Sequence, residues 1–322
     1  MSELPNINSI AIHQFASLGA GPKLIVLGAV HGNEVCGTQA IRRLIREIES
    51  GAVCIHRGSL TLVPVTNPLA YQFKRRHGDR NLNRNMRLTH TPQDYEDHVA
   101  NMLCPLLQAH DVLLDLHSFH APGRPFALIG SRNNVGDLET VGKADAEEAI
   151  ALRLGVDRFV EGWLETYAKG VEERQQRGVD ACVDYGVGTT ETMRRSGGIA
   201  VTLECGQHDE GAAPEVAYQA ILNTLAHLGM VHQVAPAAAM QPETIRLYQV
   251  VDRLHPEDRF SKDWCSFDII KRGEPIACRH DGSTVLADRD GWIVFPNPAA
   301  LVNQEWFYLA EASDRLSSDS ED

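Results

Sequence analysis

Apolar runs that end in polar side chains recur along the first two thirds of the chain. Continuous apolar stretches predict buried parallel strands at 24–30, 60–66, 111–116 and 197–203. Apolar side chains with helical spacing predict helices at 34–48, 93–109, 144–154 and 214–230. Strands that alternate with helices are typical of a layered α/β domain.

The pattern changes at residues 234–242, which are rich in alanine and proline and predict a linker. Short β-rich segments separated by glycine and aspartate follow it. We therefore predict four segments, which are an α/β domain at 1–233, the linker at 234–242, a smaller β-rich domain at 243–312 and a disordered acidic tail at 313–322.

Histidine and glutamate side chains follow two of the predicted strands. His31 and Glu34 come after the run 24–30, and His117 ends the run 111–116. Because the carboxyl ends of parallel strands lie at one edge of a sheet, we expect these three side chains to converge. Two imidazoles and one carboxylate suit Zn²⁺ and leave its fourth position for water, as a catalytic site requires. The residues therefore predict one Zn²⁺ per chain.

Two other histidines compete with this ligand set. His120 follows His117 by three residues, so that this pair could supply two ligands. His208 lies near the end of the strand predicted at 197–203. We favour His31 and His117 because each directly follows a clear apolar run. A histidine at a strand end, taken alone, is more often a polar terminus than a ligand.

Glu204 directly follows the strand predicted at 197–203. A carboxylate there that is not a ligand can take a proton from water and return it to a leaving amine. The alternative is a structural carboxylate in a loop or at a helix N-terminus. The neighbouring Cys205 could be a nucleophile, but no partnered His and Asn arrangement is evident, and buried free cysteines are commonly inert. We predict Glu204 as the general base.

Cationic side chains are concentrated between the predicted ligands. Residues 74–84 contain five lysines and arginines in eleven positions. Such a run usually indicates a solvated loop or a nucleic-acid patch. The net charge of −13 and the lack of interleaved aromatic residues argue against nucleic acid. Arginines near a metal site suit a substrate carboxylate or an oxyanion, and we predict Asn83 and Arg84 as a carboxylate clamp.

Five short motifs occur in a fixed order along residues 24–206. They are His-Gly-Asn-Glu at 31–34, Asn-Pro-x-Ala at 67–70, Asn-Leu-Asn-Arg at 81–84, Asp-Leu-His at 115–117 and Thr-Leu-Glu at 202–204. Each is weak alone, but the ordered set resembles the succinylglutamate desuccinylase and aspartoacylase family of the zinc carboxypeptidase superfamily. The resemblance implies a zinc-carboxypeptidase-like mixed β-sheet flanked by helices, followed by a smaller β-rich C-terminal domain.

The resemblance implies the metal ligands, the base and the clamp that the residues themselves suggest, and it adds two arginines. By this resemblance Arg76 polarises the scissile carbonyl and Arg194 binds substrate, with Arg195 as the alternative. The family usually has an aspartate where this chain has Asn81. An acidic side chain there could orient a neighbouring arginine, and an amide would do so more weakly. This departure bears on substrate identity more than on the type of reaction.

Composition sets the remaining limits. The 322 residues suffice for an α/β domain and a smaller one. No segment has the length and apolar character of a membrane span, and the first residues lack the features of a signal peptide. Seven scattered cysteines form no disulfide framework. We therefore expect a cytoplasmic protein without nucleic-acid or membrane partners, and the residues leave open whether it forms a homo-oligomer.

These observations favour a zinc-dependent hydrolase that uses metal-activated water to cleave the amide bond of a small N-acyl amino acid. Two alternatives stay open. A zinc carboxypeptidase that acts on short peptides would share every catalytic part. A non-catalytic metal-binding or ligand-sensing protein could have the same fold, but Glu204 argues against it because such a protein needs no base.

Overall fold

The computed structural model describes residues 6–136 and 138–316. The helices in these residues are α1 (Cys36–Glu49), α2 (Pro68–Gln72), α3 (Tyr95–Gln108), α4 (Ala144–Ala151), α5 (Trp163–Gln176), α6 (Thr189–Arg195) and α7 (Ala213–His227), with a 3₁₀ turn at Val183–Gly186. The strands are β1 (His13–Ala16), β2 (Lys23–Gly28), β3 (Ser59–Val63), β4 (Val112–Phe119), β5 (Phe126–Leu128), β6 (Arg158–Glu161), β7 (Ile199–Gln207), β8 (Glu243–Asp252), β9 (Arg259–Phe260), β10 (Asp268–Ile270), β11 (Pro275–Cys278), β12 (Thr284–Leu286), β13 (Gly291–Val294) and β14 (Glu305–Ala312).

Eleven of these strands form one mixed sheet in the order β1-β3-β2-β4-β7-β5-β6-β8-β14-β13-β10. Strands β3, β2, β4 and β7 are parallel neighbours, whereas β5 runs antiparallel to β7. A second, three-stranded sheet has the order β12-β11-β9. The predicted mixed sheet flanked by helices is confirmed.

Helices cover both faces of the parallel part of the sheet, which explains its continuous apolar strands. On β2, Leu24 and Val26 pack in the cluster that contains α1 and α7, whereas Ile25 and Leu27 pack in the cluster that contains α3 and α6. All four side chains are completely buried. A strand with two covered faces has no polar face, so its sequence does not alternate.

The four predicted helices correspond to α1, α3, α4 and α7, with ends within three residues of the predicted positions. Their starts have local causes. The side chain of Asp94, for example, accepts a hydrogen bond of 2.8 Å from the backbone N–H of Asp97 and caps α3. Helices α2, α5 and α6 were not predicted.

The main sheet continues across the predicted linker, because β8 pairs in parallel with β6 and antiparallel with β14. The C-terminal strands also have a core cluster of their own around Trp306 and Phe307. The division into 1–233, 234–242, 243–312 and 313–322 therefore stays a proposal.

Part of the predicted acidic tail can be located. Arg315 is buried, and its guanidinium lies 2.8 Å from carboxylate oxygens of both Glu148 and Glu161. These ion pairs attach residues 313–316 to α4 and β6. Residues 317–322 lie outside the described residues. None of the helices described combines the length and the apolar character needed to cross a membrane.

Candidate metal centre and active site

The predicted metal ligands converge at one edge of the sheet. His31 and Glu34 lie between β2 and α1, and His117 lies on β4. Nδ1 of His31 is 2.8 Å from Oε1 of Glu34, and Nδ1 of His117 is 2.8 Å from Oε2 of Glu34. One ligand atom from each residue lies within 4.8 Å of the others, and all three residues are buried. The described part of the chain contains no second group of this kind.

The turn that carries His31 is tight because the chain there packs directly against α2. A Cβ atom on Gly32 would lie only 2.0 Å from the carbonyl carbon of Ala70. Glycine is therefore required by the close approach of two backbones. This packing holds the turn beside the end of β4, since Gly28 on β2 is level with Leu116 on β4.

Each candidate histidine ligand contacts a second polar residue through its other ring nitrogen. Nε2 of His31 is 2.9 Å from Oδ1 of Asn81, and Nε2 of His117 is 3.0 Å from Oδ2 of Asp115. Asn81 can accept a hydrogen bond from His31 and so orient its ring with Nδ1 toward a metal, whereas the contact between Asp115 and His117 is an ion pair without hydrogen-bond geometry. At position 81 an acidic side chain could orient a neighbouring arginine, and the amide of Asn81 was expected to do so more weakly. The Asn81 side chain instead contacts His31, because the loop containing it folds against the turn after β2.

The three residues of this group influence one another's pKa values. Burial, reinforced by the charge of Arg76, lowers the pKa of His31 to about 4. Burial raises the pKa of Glu34, but the two histidines outweigh it and hold that pKa well below its usual range. Burial lowers the pKa of His117, but Asp115 and Glu34 outweigh it and hold that pKa well above its usual value. His117 would have to lose a proton to serve as a metal ligand, and a bound cation would compensate the charge of that proton.

The residues present fit Zn²⁺. Two imidazole nitrogens and one carboxylate form the donor set of many catalytic zinc sites. A neutral His31 and an ionised Glu34 are already in the protonation states that metal binding requires. His31, Glu34 and His117 are therefore the residues that could hold the ion.

Glu204 lies beside this group. It is level with His117 in the parallel pair formed by β4 and β7, and it is buried. Its Oε2 has no hydrogen-bond partner among the described residues. Burial raises the pKa of Glu204 to about 8, although the charge of His117 lowers it in part. A buried carboxyl group with an unfilled acceptor and a perturbed pKa has the properties expected of a group that transfers protons.

The arginines between the ligands differ in how far they are already paired. Arg76 is half exposed, and its Nη1 is 2.9 Å from Oε1 of Glu34. Arg80 is fixed by two carboxylates, at 2.7 Å from both Asp94 and Asp97. Arg80 is therefore a structural residue, whereas Arg76 is bound to a group that a metal ion would engage.

Arg84 is largely buried and has few partners. Its guanidinium carbon is 4.8 Å from the ring centre of Trp163, and its Nη1 donates to the backbone oxygen of Asn83 at 2.8 Å. Among the described residues, Glu305 supplies the one carboxylate within 4.0 Å. Asn83 lies beside Arg84, and its Oδ1 accepts a hydrogen bond from the backbone N–H of Thr189 at 2.8 Å.

Arg194 has a different environment. It is buried, its Nε and Nη2 are 2.9 Å from the two oxygens of Glu147, and its Nη1 is 2.7 Å from Glu139. All three guanidinium nitrogens are therefore engaged. The alternative, Arg195, is 42% exposed and lies 3.6 Å from Asp184. The predicted substrate contact of either arginine stays a prediction.

The competing residues lie outside the ligand group. Nδ1 of His208 is 2.9 Å from Oγ of Ser118, and its Nε2 is 3.3 Å from Nδ2 of Asn33. The ring of His120 lies 6.2 Å from that of His208. Cys205 is buried, and burial raises its thiol pKa well above the usual value, which does not suit a nucleophile.

One cavity of about 1220 Å³ joins the ligand histidines and Glu204 to both Arg76 and Arg84. Its far wall comes from α5 and β14, which no motif in the sequence links to the site. The residues of that wall include Trp163, Tyr167, Glu305 and Tyr308. No local motif marks them, since Trp163 and Tyr167 lie on α5 whereas Glu305 and Tyr308 lie on β14, which joins the sheet by pairing with β8.

Comparison with known proteins gives a consistent result. Residues 20–131 match the model of the succinylglutamate desuccinylase/aspartoacylase catalytic domain. An N-acyl-aromatic-L-amino acid amidohydrolase (carboxylate-forming) from Rattus norvegicus is 38% identical over 109 residues, which are 30% of this chain. That match spans about a third of the length of the curated relative, at 33%.

Solved structures have the same fold along nearly the whole chain. A succinylglutamate desuccinylase/aspartoacylase from Rhodobacter sphaeroides has a TM-score of 0.71 at 19% identity, with 94% of this chain and 90% of that chain covered. The product-bound ectoine utilization protein EutE (DoeB) from Ruegeria pomeroyi has a TM-score of 0.67 at 21% identity, with coverages of 94% and 88%. Residues 20–131 thus match the catalytic domain of the succinylglutamate desuccinylase/aspartoacylase family, and the resemblance predicted from the motifs is confirmed.

Proposed function

We propose that this protein is a zinc-dependent hydrolase that cleaves the amide bond of an N-acyl amino acid. The observation that carries the proposal is the buried group of His31, Glu34 and His117 beside Glu204, whose Oε2 has no hydrogen-bond partner in the part of the chain that the structure describes. The matched relatives include an amidohydrolase that acts on N-acyl amino acids, which supports the same class of substrate. When bound, Zn²⁺ would supply Lewis-acid chemistry to the scissile carbonyl and to water.

Glu204 is proposed as the general base and then the general acid. Its free Oε2 can accept the proton of the attacking water and return it to the leaving amine. A cation on the neighbouring ligands would favour the ionised carboxylate, because opposite charge lowers the pKa of an acid. Burial keeps bulk water from competing for the proton.

Arg76 is proposed to stabilise the carbonyl oxygen as it gains negative charge. In the ion-free arrangement its Nη1 contacts Oε1 of Glu34 at 2.9 Å. When Glu34 serves as a ligand, the guanidinium of Arg76 has N–H groups that can donate to the carbonyl oxygen of the reacting bond. Its half-exposed side chain has the freedom to turn toward a substrate.

Arg84 and Asn83, which both line the cavity, are proposed to bind the carboxylate of the substrate together. Arg80, Arg174 and Arg194 also line the cavity, but each is tied to a carboxylate at 2.9 Å or less. Arg84 has no carboxylate closer than 4.0 Å in the described residues. Its planar fork can therefore take a carboxylate without breaking a close ion pair.

A carboxypeptidase that acts on short peptides is the second candidate. The cavity volume of about 1220 Å³ supports this candidate, because it exceeds the roughly 300–1,000 Å³ that small-molecule sites usually occupy. The two functions share the ligands, the base and the arginines. On composition and charge we also propose a cytoplasmic location and a small molecule, not a nucleic acid or a membrane, as the partner.

The decisive experiment compares Zn²⁺-loaded enzyme with chelator-treated enzyme on a panel of N-acyl amino acids and dipeptides. We expect release of a free amino acid from at least one N-acyl amino acid, with activity lost on chelation and restored by Zn²⁺. Faster hydrolysis of dipeptides would establish the carboxypeptidase instead. Metal binding without turnover of either class would refute both.

Metal content tests the ligand set directly. We expect about one Zn²⁺ per chain in the wild type and little in His31→Ala or His117→Ala, because two remaining ligands hold zinc weakly. His120→Ala is the matched control, since His120 lines the cavity outside the ligand group. If His117→Ala kept full zinc while His120→Ala lost it, the ligand assignment would be wrong.

A further inference from the structure

His208 directly follows β7, at a place where the pairing of β7 with β4 becomes irregular. His117 and Phe119 are two positions apart on β4, whereas the residues level with them on β7 are three positions apart, at 204 and 207. One extra residue is therefore inserted on β7. The backbone N–H of His208 donates to the backbone oxygen of Phe119 at 3.0 Å. This contact holds His208 at the end of the strand that carries His117.

The imidazole of His208 connects the two segments that carry the metal ligands. Its Nδ1 is 2.9 Å from Oγ of Ser118, which directly follows His117 on β4. Its Nε2 is 3.3 Å from Nδ2 of Asn33, which directly precedes Glu34 in the turn after β2. Either tautomer of the ring can keep both contacts, because a hydroxyl group and an amide can each donate or accept a hydrogen bond. One side chain from the end of β7 thus joins the turn to the strand.

These two partners have no other side-chain anchor. Among the described residues, His208 is the one hydrogen-bond partner of the Asn33 amide and of the Ser118 hydroxyl group. Oδ1 of Asn33 is buried and has no partner there. The backbone N–H of Ser118 also donates to Oε2 of Glu34 at 3.3 Å. The position of Ser118 therefore influences the carboxylate that lies between the two ligand histidines.

His120 offers an internal comparison. It lines the same cavity, and its ring centre is 6.2 Å from that of His208. Its side chain is exposed and makes no hydrogen bond within the part of the chain that the structure describes. Of these two neighbouring histidines, His208 alone bridges the ligand segments, so His120 can serve as a matched control.

We propose that His208 is a positioning residue of the metal centre, whose imidazole holds the turn that carries Glu34 against the strand that carries His117. This inference rests on the proposed function, because it presupposes the ligand set, and it extends that function to a residue outside the ligand group. Groups that orient metal ligands contribute to affinity because they limit the geometries that the ligands can adopt. His208 would do so for both ligand segments at once.

The test measures the affinity of metal-free protein for Zn²⁺, by competition with a chromogenic chelator. For His208→Ala we expect the dissociation constant for Zn²⁺ to rise roughly 10- to 100-fold, the usual cost of losing a group that orients metal ligands. His208→Gln should recover part of the loss, because its amide can donate and accept at once. The control His120→Ala should keep the affinity of the wild type.

A double-mutant cycle with Ser118→Ala supplies a second readout. Ser118→Ala alone should weaken Zn²⁺ binding, but by less than His208→Ala does, because the contact between His208 and Asn33 remains. In the His208→Ala background the same substitution should cause no further loss, because the hydrogen bond that it removes is already absent. If His208 were instead a ligand, His208→Gln would recover no affinity and Ser118→Ala would leave the affinity unchanged.

Equal affinity of His208→Ala and the wild type, or losses that add in the double variant, would overturn the positioning role. If His208→Ala does not fold, His208→Gln and Ser118→Ala still decide the question. Absence of Zn²⁺ binding by the wild type would instead refute the ligand set of the proposed function, so the two failures are distinguishable.

Discussion

The two ends of the cavity are built on different plans. At the ligand end, His31, Glu34 and His117 lie in direct contact at 2.8 Å, and each comes from a strand end or the turn after it. At the far end, Arg84 and Glu305 are 4.0 Å apart, on a loop and on the last strand. The ligand end is closely paired before anything binds, whereas the far end keeps unfilled donors.

This difference has a physical meaning. A metal ion needs its donors held in one geometry, and the close contacts of the ligand end impose such a geometry. A substrate gains binding energy only from groups that are not already paired within the protein. A site for reaction therefore requires closely paired ligands, as at the first end. A site for recognition requires hydrogen-bond donors that are not yet paired, as at the second end.

The sharpest way to break this comparison is to alter the reaction end without disturbing its metal. Glu204→Gln should keep zinc and the fold but lower kcat on the order of 10²-fold or more, because an amide cannot accept the proton. Steady-state kinetics and metal analysis on the same sample measure both quantities.

Glu191→Gln is the matched control for that variant. Glu191 is also buried and lines the cavity, but its two oxygens already accept from the backbone N–H of Gly188 and from Oγ1 of Thr190. Its substitution should leave kcat within a few-fold of the wild type. Near-normal turnover by Glu204→Gln would assign the base to another residue.

The two ends of the cavity should also differ in how substitution of their arginines changes KM and kcat. Arg84→Ala should chiefly raise KM, by roughly 10- to 100-fold, because Arg84 binds a carboxylate that is charged in the bound substrate. Arg76→Ala should chiefly lower kcat, because Arg76 stabilises negative charge that forms only during the reaction. Arg84→Lys should restore binding only in part, since an ammonium group lacks the planar fork.

The control for the Arg84 variants is the amide-capped substrate. The wild type should prefer the free carboxylate, and Arg84→Ala should lose that preference. An Arg84→Ala enzyme that prefers the free carboxylate as strongly as the wild type would show that this guanidinium belongs to a structural loop.

We expect the smallest effect at Asp258, a carboxylate remote from both ends of the cavity. The pKa of Glu204 is raised whereas that of Asp258 is lowered, and substitution of Asp258 should change stability and not turnover. Asp258 is buried, and although burial raises its pKa, hydrogen bonds from Arg279 and from three backbone N–H groups outweigh this and lower the pKa to about 2. Relative to an unfolded value of 3.8, this contributes about 2 kcal/mol to the free energy of unfolding.

Because the pKa of Asp258 is depressed, its contribution is complete above pH 4 and is lost as the pH falls toward 2. Asp258→Asn should therefore lower the unfolding free energy at pH 7 by about that amount and flatten the acid limb of the stability profile. Chemical denaturation at several pH values measures this. The exposed Asp263→Asn is the control, and equal stability of the two variants would contradict the assignment.

The sequence was sufficient for the ligand end because its information is local. His31 and Glu34 share one turn, and apolar runs such as Leu24–Gly28 identify the parallel strands whose ends must meet. The periodicity also identified the helices on both faces of the sheet. It missed α5, whose apolar positions around Leu164 and Tyr167 face the cavity wall and a small separate cluster.

The far end could not be predicted in the same way. Glu305 and Tyr308 share a face only because of an inserted residue in the pairing of β14 with β8, and a bulge leaves no simple sequence pattern. Asn81 was identified as a departure from the family, but its contact with His31 depends on how two loops meet. Both facts concern contacts between segments far apart in the chain.

The continuity of the main sheet has a consequence for how specificity can vary. Strands β6 and β8 are paired along four residues, so the wall that carries Tyr308 and the strands behind the metal ligands belong to one hydrogen-bonded frame. A hinge motion that widened the cavity by moving β8 and β14 away from β6 would break the hydrogen bonds between β6 and β8. Adapting this scaffold to a new substrate therefore calls for exchanging side chains on the wall of the cavity and not for rotating one part of the sheet against the other.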